Sequence, residues 1–501
     1  MPIVVHAPWA LLLLLPALAC TPDPPAVAPR CGAFGEPPCA CAAARKRPSG
    51  ACCPTWTAPN AAGECLFRRW YTAAPIDPMG PPGTVLGQIL LDSNGAGIAT
   101  WGAPGPGGVP TLEIGEELSP GLWVSRRPAA ALQGRTAAST LATGPAGTAM
   151  LVWLSALADP GVFVSERDAQ GLWKDPLPGQ ALSFPSGAVE PSISASPTGE
   201  WIATWCQATT TGWGTALARK STFESPWQRP TGPEDVVSPP ILFANAPLLS
   251  LDARGNVLVA WYQSNEGPLM TYLSERRGKE GAFSRPGAGD FLSPPGAPVA
   301  SGKPENPMPA LGPRGEAAVV WSQEDGAGQT SLYLATREPD GPWKKPVGLD
   351  DTFSRHAGIT RGGVLAFGPT GELHVVWSQK DKEGEAVYAA RRAPNGAWID
   401  EGKRPVRLSS PGVIAYSPAL AIGPDGGVVT AWMETTGTRS RVLARRTGSD
   451  RRTWTAIEPL SDEALGNAGG PMVAVGPGDR ALSGFTQGPT AQTRVQVAEL
   501  P

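Results

Sequence analysis

The sequence predicts an all-β fold made of repeated small sheets, and three observations carry that prediction. Gly and Pro supply 61 and 57 of the 501 residues, which punctuates the chain with turns. A hydrophobic fraction of 41% and 18 Trp give more buriable surface than a disordered chain holds. That apolar content recurs in short runs between Gly/Pro turns, the pattern of strands. Charge removes other classes. A net charge of −3 offers no electrostatic footprint for nucleic acid. After residue 20 nothing approaches the roughly 18 apolar residues of a membrane-spanning helix.

In chain order, residues 9–19 (WALLLLLPALA) form an apolar stretch shorter than a bilayer span and read as the core of an export signal, residues 1–19. Small Ala19 precedes Cys20, and the pair resembles the end of a bacterial lipoprotein signal, in which the Cys is lipidated and becomes the first residue. By that resemblance, Thr21 in place of Asp implies the outer membrane or cell surface of a diderm bacterium, with the membrane reached through a lipid anchor. Residues 20–30 continue as a Pro-rich, semi-rigid linker.

Cys31, Cys39, Cys41, Cys52, Cys53 and Cys65 crowd into residues 31–65. In an exported chain this predicts a disulfide module, its pairing left open. Zinc is the weaker reading, because no Cys-x-x-Cys pair and no nearby His complete a ligand set. Cys206 follows Trp205 in an apolar run and is expected to be a buried, inert thiol.

Residues 66–501 repeat one unit eight times. Aligned on turn and aromatic, the units read DSNGAGIATWGA (92–103), GPAGTAMLVWLS (144–155), SPTGEWIATWCQ (196–207), DARGNVLVAWYQ (252–263), GPRGEAAVVWSQ (312–323), GPTGELHVVWSQ (368–379), GPDGGVVTAWME (423–434) and GPGDRALSGFTQ (476–487). Seven carry Gly six residues before the aromatic, with Asp479 the exception, so each unit begins as a hairpin whose second strand ends in the aromatic. A second aromatic recurs at Trp70, Trp123, Trp173, Trp227, Phe283, Trp343, Trp398 and Trp454, each followed by Pro at an odd offset. Pro is tolerated at a sheet edge, so this strand should be outermost. A third apolar run lies between the two aromatics, as in LYLATRE (332–338), which makes four strands per unit.

Four antiparallel strands in a repeat of about 54 residues predict an eight-bladed β-propeller. The arithmetic of closure follows. The repeats open on the outer-strand aromatic Trp70 and end on a third strand, TRVQVAEL (493–500), so the segment around Trp70 should complete the last blade. The turn, the Trp and the Trp-to-Pro strand together resemble the sialidase-like, BNR-type propellers of bacteria, although the Asp box of that family is absent. The resemblance implies fold, not activity.

Chemistry is sparse. His374 lies inside an apolar strand and His356 alone stands in a connecting loop. Tyr71, Tyr272, Tyr333 and Tyr388 read as packing, while Tyr262 and Tyr416 sit nearer loops. The pairs Arg276/Arg277, Arg391/Arg392 and Arg445/Arg446 end third strands and are expected on a solvated rim. One polar feature recurs two residues past the first aromatic, at Gln207, Gln263, Gln323, Gln379, Glu434 and Gln487. This ring is the candidate ligand-binding set, against the alternative that each amide caps backbone of a neighbouring blade. The expectation is a surface-anchored, non-catalytic binding or assembly protein with a glycan or envelope protein as partner and no cofactor or metal. A sialidase-like glycoside hydrolase or lyase is the alternative, its acids sought at Asp290, Glu305, Asp350 and Asp351 beside Arg355 and His356.

Overall fold

The computed structural model describes residues 57–59, 65–67 and 69–500, apart from 78–79, 106–109, 127–135, 156–160, 178, 240–242, 265–268, 296–304, 325–328, 355–358, 382–383, 400–404, 449–452 and 490. The leader, Cys20, Cys31, Cys39, Cys41, Cys52 and Cys53 lie outside the described residues. Cys65 opens a short strand, Cys65–Phe67, paired antiparallel with Thr57–Pro59.

Eight antiparallel sheets follow one another, and the chain is an eight-bladed β-propeller. Their innermost strands are Val85–Leu91, Thr136–Thr143, Ala188–Ala195, Phe243–Leu251, Glu305–Leu311, Thr360–Phe367, Ile414–Ile422 and Ala468–Val475, which number the blades one to eight. In the eighth, Ala74–Pro75 lies against Arg494–Leu500, and Tyr71 N and Ile76 N donate to Glu499 O and Val495 O. A strand from the start of the ring thus closes its end.

Each Gly-bearing turn does what its sequence requires. At Gly371, φ is 87° and its N–H donates to Gly368 O, a conformation that costs a residue with a Cβ. The strand that leaves such a turn is covered on both faces. Ala149–Ser155 is buried throughout, and Trp101, Trp153, Trp205, Trp261, Trp321, Trp377, Trp432 and Phe485 all sit between blades. At about 25 cal/mol per Å² each Trp contributes several kcal/mol, an upper figure because unfolded chains are partly compact. Tyr272, Tyr333 and Tyr388 stack on their blade's Trp. Tyr71, expected to pack, is instead 60% exposed.

The outer strands are shorter than the sequence suggests. Five blades end in two-residue strands such as Trp173–Lys174 and Glu458–Pro459, and blades three and four have three-stranded sheets. In blade three the outermost strand reduces to the bridge between Arg219 and Gln228. Blade one alone has a five-residue outer strand, Leu122–Arg126. Pro after the second aromatic removes a ladder donor and stops the pairing early.

The arginines that end third strands correct the sequence reading. Arg276 and Arg446 are buried and Arg392 nearly so, the first and last because their guanidinium groups close seams between blades, whereas Arg277 is exposed as expected. Arg276 meets Glu200 of blade three through two charge-assisted bonds of 2.8 and 2.7 Å. The same device recurs at six consecutive seams: Arg480–Glu117, Arg167–Glu116, Lys220–Glu166, Arg276–Glu200, Arg337–Glu275 and Arg392–Glu338. Arg446 pairs within its own blade, with Glu458 at 3.2 Å.

Candidate functional site

Chain direction divides the ring into two faces. Second-to-third-strand hairpins and the connections between blades emerge on one, called the upper face. Gly-bearing turns and third-to-fourth-strand turns emerge on the other, the lower face.

The six repeat residues lie just beneath the upper face, and all are buried. Five accept a hydrogen bond from the indole Nε1 of the Trp two residues earlier: Gln207 at 3.0 Å, Gln263 at 2.8 Å, Gln323 at 3.1 Å, Gln379 at 3.2 Å and Glu434 at 3.1 Å. The second job is to hold the connection entering the same blade. Gln207 Oε1 accepts from Phe184 N and its Nε2 donates to Gly187 O, while Gln263 Nε2 donates to Pro239 O. Glu434 accepts from Ser410 N, and Gln487 Nε2 donates to Gly466 O. These side chains frame the rim from below, and what they hold in place stands above them.

Above Glu434 and Gln487 opens a cleft of about 780 Å³ between blades seven and eight. One wall is the hairpin joining Val428–Thr436 to Arg439–Arg446, which contributes Thr436, Thr438, Arg439, Ser440 and Arg441. Gly437 turns that hairpin at φ 61°. The opposite wall is the connection from Glu463 to Asn467, started by Asp462, whose Oδ1 accepts from Ala464 N, and ended by Gly466 at φ 98°. Gly488 and Pro489 of blade eight close the end.

Charge within the cleft is paired but unevenly. Arg441 is fixed from both sides, to the buried Glu434 Oε2 at 3.2 Å and to Glu463 Oε1 at 3.4 Å. Arg439 is 78% exposed with Glu463 at 4.0 Å, so solvent screens that pair and holds the guanidinium only weakly. Asn467 Oδ1 accepts from Ser440 N at 3.0 Å and ties the two walls together. Donors and acceptors therefore alternate along a preformed groove, an arrangement that can bind vicinal hydroxyls. The sequence reading missed Arg439, Arg441, Glu463 and Asn467. Its one available signal was Glu434, the single acid in a row of amides, which pairs in register with Arg441.

Two of the acids sought for catalysis, Asp290 and Asp351, hold turns, while Asp350 is an exposed turn residue. Asp290 Oδ2 accepts from Gly287 N at 2.8 Å and Asp351 Oδ2 from Val347 N at 3.1 Å. Asp235 closes the equivalent turn in blade three through Thr231 N, so these carboxylates belong to the repeat. Glu305 stands at the head of an inner strand, and Arg355 and His356 lie outside the described residues. His374 is buried, with Arg391 the neighbouring charge, and burial first and Arg391 second push its pKa down to about 3. Cys206 is a buried free thiol whose pKa is raised well above the usual value by burial, then by Glu190. Among the described residues no group of three or more His, Cys, Asp or Glu is placed to hold a metal.

No protein-family model and no curated protein matches the chain. Solved propellers do. The BP39L lectin of Burkholderia pseudomallei is 17% identical, with 76% of this chain and 99% of the lectin covered at a TM-score of 0.45. An ulvan lyase of polysaccharide lyase family 25 is 9% identical over 70% of this chain and 89% of its own, at 0.44. The Hadza microbial sialidase Hz136 is 12% identical over 77% and 79%, at 0.36. The likeness is one of fold.

Proposed function

We propose that the chain is an exported, lipid-anchored binding protein that holds a glycan in the cleft between blades seven and eight. The cleft carries the reading. Its polar groups are positioned by buried partners before any ligand arrives, Arg441 by Glu434 and the opposite wall by Gln487, and preorganisation lowers the cost of binding. Hydroxyl, amide and guanidinium groups on both walls suit a polyhydroxylated ligand better than an apolar one. A lectin, a lyase and a sialidase stand among the solved structures of this fold. A glycan array followed by titration of the best ligand tests the proposal. Arg439→Ala and Asn467→Ala should each weaken binding about tenfold or more, with the melting temperature little changed, since Arg439 is exposed and only loosely paired. Full affinity in both variants, or turnover of a fluorogenic glycoside panel, would overturn it.

A further inference from the structure

Exposed apolar side chains on the upper face stand singly, as at Val347 and Leu465. Among the described residues those on the lower face gather mainly in one arc, apart from Ile399 of blade six, which follows the outer-strand Trp398 at 41% exposure. Leu118 and Leu122 flank the third-to-fourth-strand turn of blade one at 66% and 55% exposure, and Val124 follows at 42%. Leu172 occupies the same slot in blade two, one residue before the outer-strand Trp, at 69%. Tyr71 extends the arc into blade eight. The corresponding turns of blades four and five carry Lys279, Glu280 and Asp340 instead.

The arc marks where the N-terminal segment joins the ring. Tyr71 N donates to Glu499 O, and the Glu499 and Glu117 carboxylates share Arg480, so Tyr71 enters blade eight beside the residue that precedes Leu118. The described chain therefore enters blade eight from the lower face, at Arg69 and Trp70. Four aliphatic side chains bordered by the exposed Arg69 and Lys174 match a lipid–water interface, with apolar groups entering the acyl boundary and cations meeting headgroups.

We infer that the lower arc of blades eight, one and two rests on a lipid surface and holds the ring so that the cleft of blades seven and eight faces away from it. The inference rests on the anchored reading for its biological setting, but lipid contact by the arc is measured separately. A single acyl chain binds marginally, so a second contact of this kind would stabilise attachment and set orientation.

Hydrogen exchange of the full chain, with and without vesicles of about 7:3 phosphatidylcholine to phosphatidylglycerol, tests it. Segments 116–126 and 168–174 should exchange about tenfold more slowly with vesicles, and 436–441 at an unchanged rate. Leu118→Ser combined with Leu122→Ser and Leu172→Ser should abolish the protection. Val347→Ser with Leu465→Ser on the upper face should not. Equal exchange with and without lipid, or protection of 436–441 in place of the arc, would overturn the inference. Palmitate labelling of the Cys20→Ser variant reports on the anchor alone, so loss of the anchor and loss of the docking face are told apart.

Discussion

Gln263 accepts a hydrogen bond from Trp261 Nε1 through one end of its amide and donates one to Pro239 O through the other, with no exposed surface. Removing the amide strands two buried polar groups, each of which would carry its full desolvation cost. Gln263→Ala should therefore lose about 1–3 kcal/mol in denaturant unfolding, and Gln263→Glu should not restore it, because a carboxylate cannot donate to Pro239 O and faces Met270 where Glu434 has Arg441. His374 makes a pH prediction with a definite sign. Its folded pKa of about 3 lies below the ordinary histidine value of 6.5, so the unfolded chain binds the proton more readily between those limits. Stability is complete above pH 6.5 and falls as pH drops toward 3, by about 2 kcal/mol at pH 5. His374→Leu should flatten that slope; an unchanged slope in chemical denaturation would assign the acid sensitivity to other groups.

The inner strands share a feature larger than one residue. All eight shift register against their neighbour near the upper end, at Val189/Ser192, Asn245/Leu248, Tyr416/Ala419 and the equivalent places. A bulge adds a residue to one strand and bends it, which lets the crowded inner strands diverge toward the rim. Several blades place a left-handed residue there: Gly362 and Gly470 do so without strain, while Glu190, Ala246 and Ser417 carry a Cβ at φ 50–54°. Ala246→Gly should therefore raise stability by up to about 1 kcal/mol, the relief of the left-handed penalty less the entropy lost by a freer unfolded chain. A lower melting temperature in that variant would show the methyl to be packed. The bulge sites were partly legible, since a Pro follows Glu190, Ala246, Ser417 and Gly470 in the sequence. Periodicity alone could not separate that Pro from an ordinary edge signal.

The ring as a whole depends on one short pairing. Ala74–Pro75 joins the start of the chain to its last strand, and Thr84 and Thr493 fasten the same seam with reciprocal hydroxyl-to-carbonyl bonds of 3.3 and 3.0 Å. Deleting residues 69–76 should lower the melting temperature of the whole propeller by several degrees in one transition, because the freed edge belongs to a closed stack of blades. A separate early transition confined to blade eight would mean that the blades unfold independently. Blade count and the order of strands in each blade were legible because every unit restates one turn, one Trp and one outer aromatic, and local periodicity is enough to read them. The fate of the polar residues was not. Gln207, Gln263 and Glu434 sit at the right height for a rim, and only packing shows that Trp indoles and inter-blade connections already engage them. The arginines that end third strands read as solvated until the neighbouring blade brings Glu200 or Glu338 against them. Sequence by itself determined the repeat, the turns and which strands are apolar on both faces, since these depend on residues within a dozen positions of one another. Tertiary structure decided which charges are buried and where the cleft opens, because both depend on groups some 20 to 80 residues apart that meet only when one blade packs on the next.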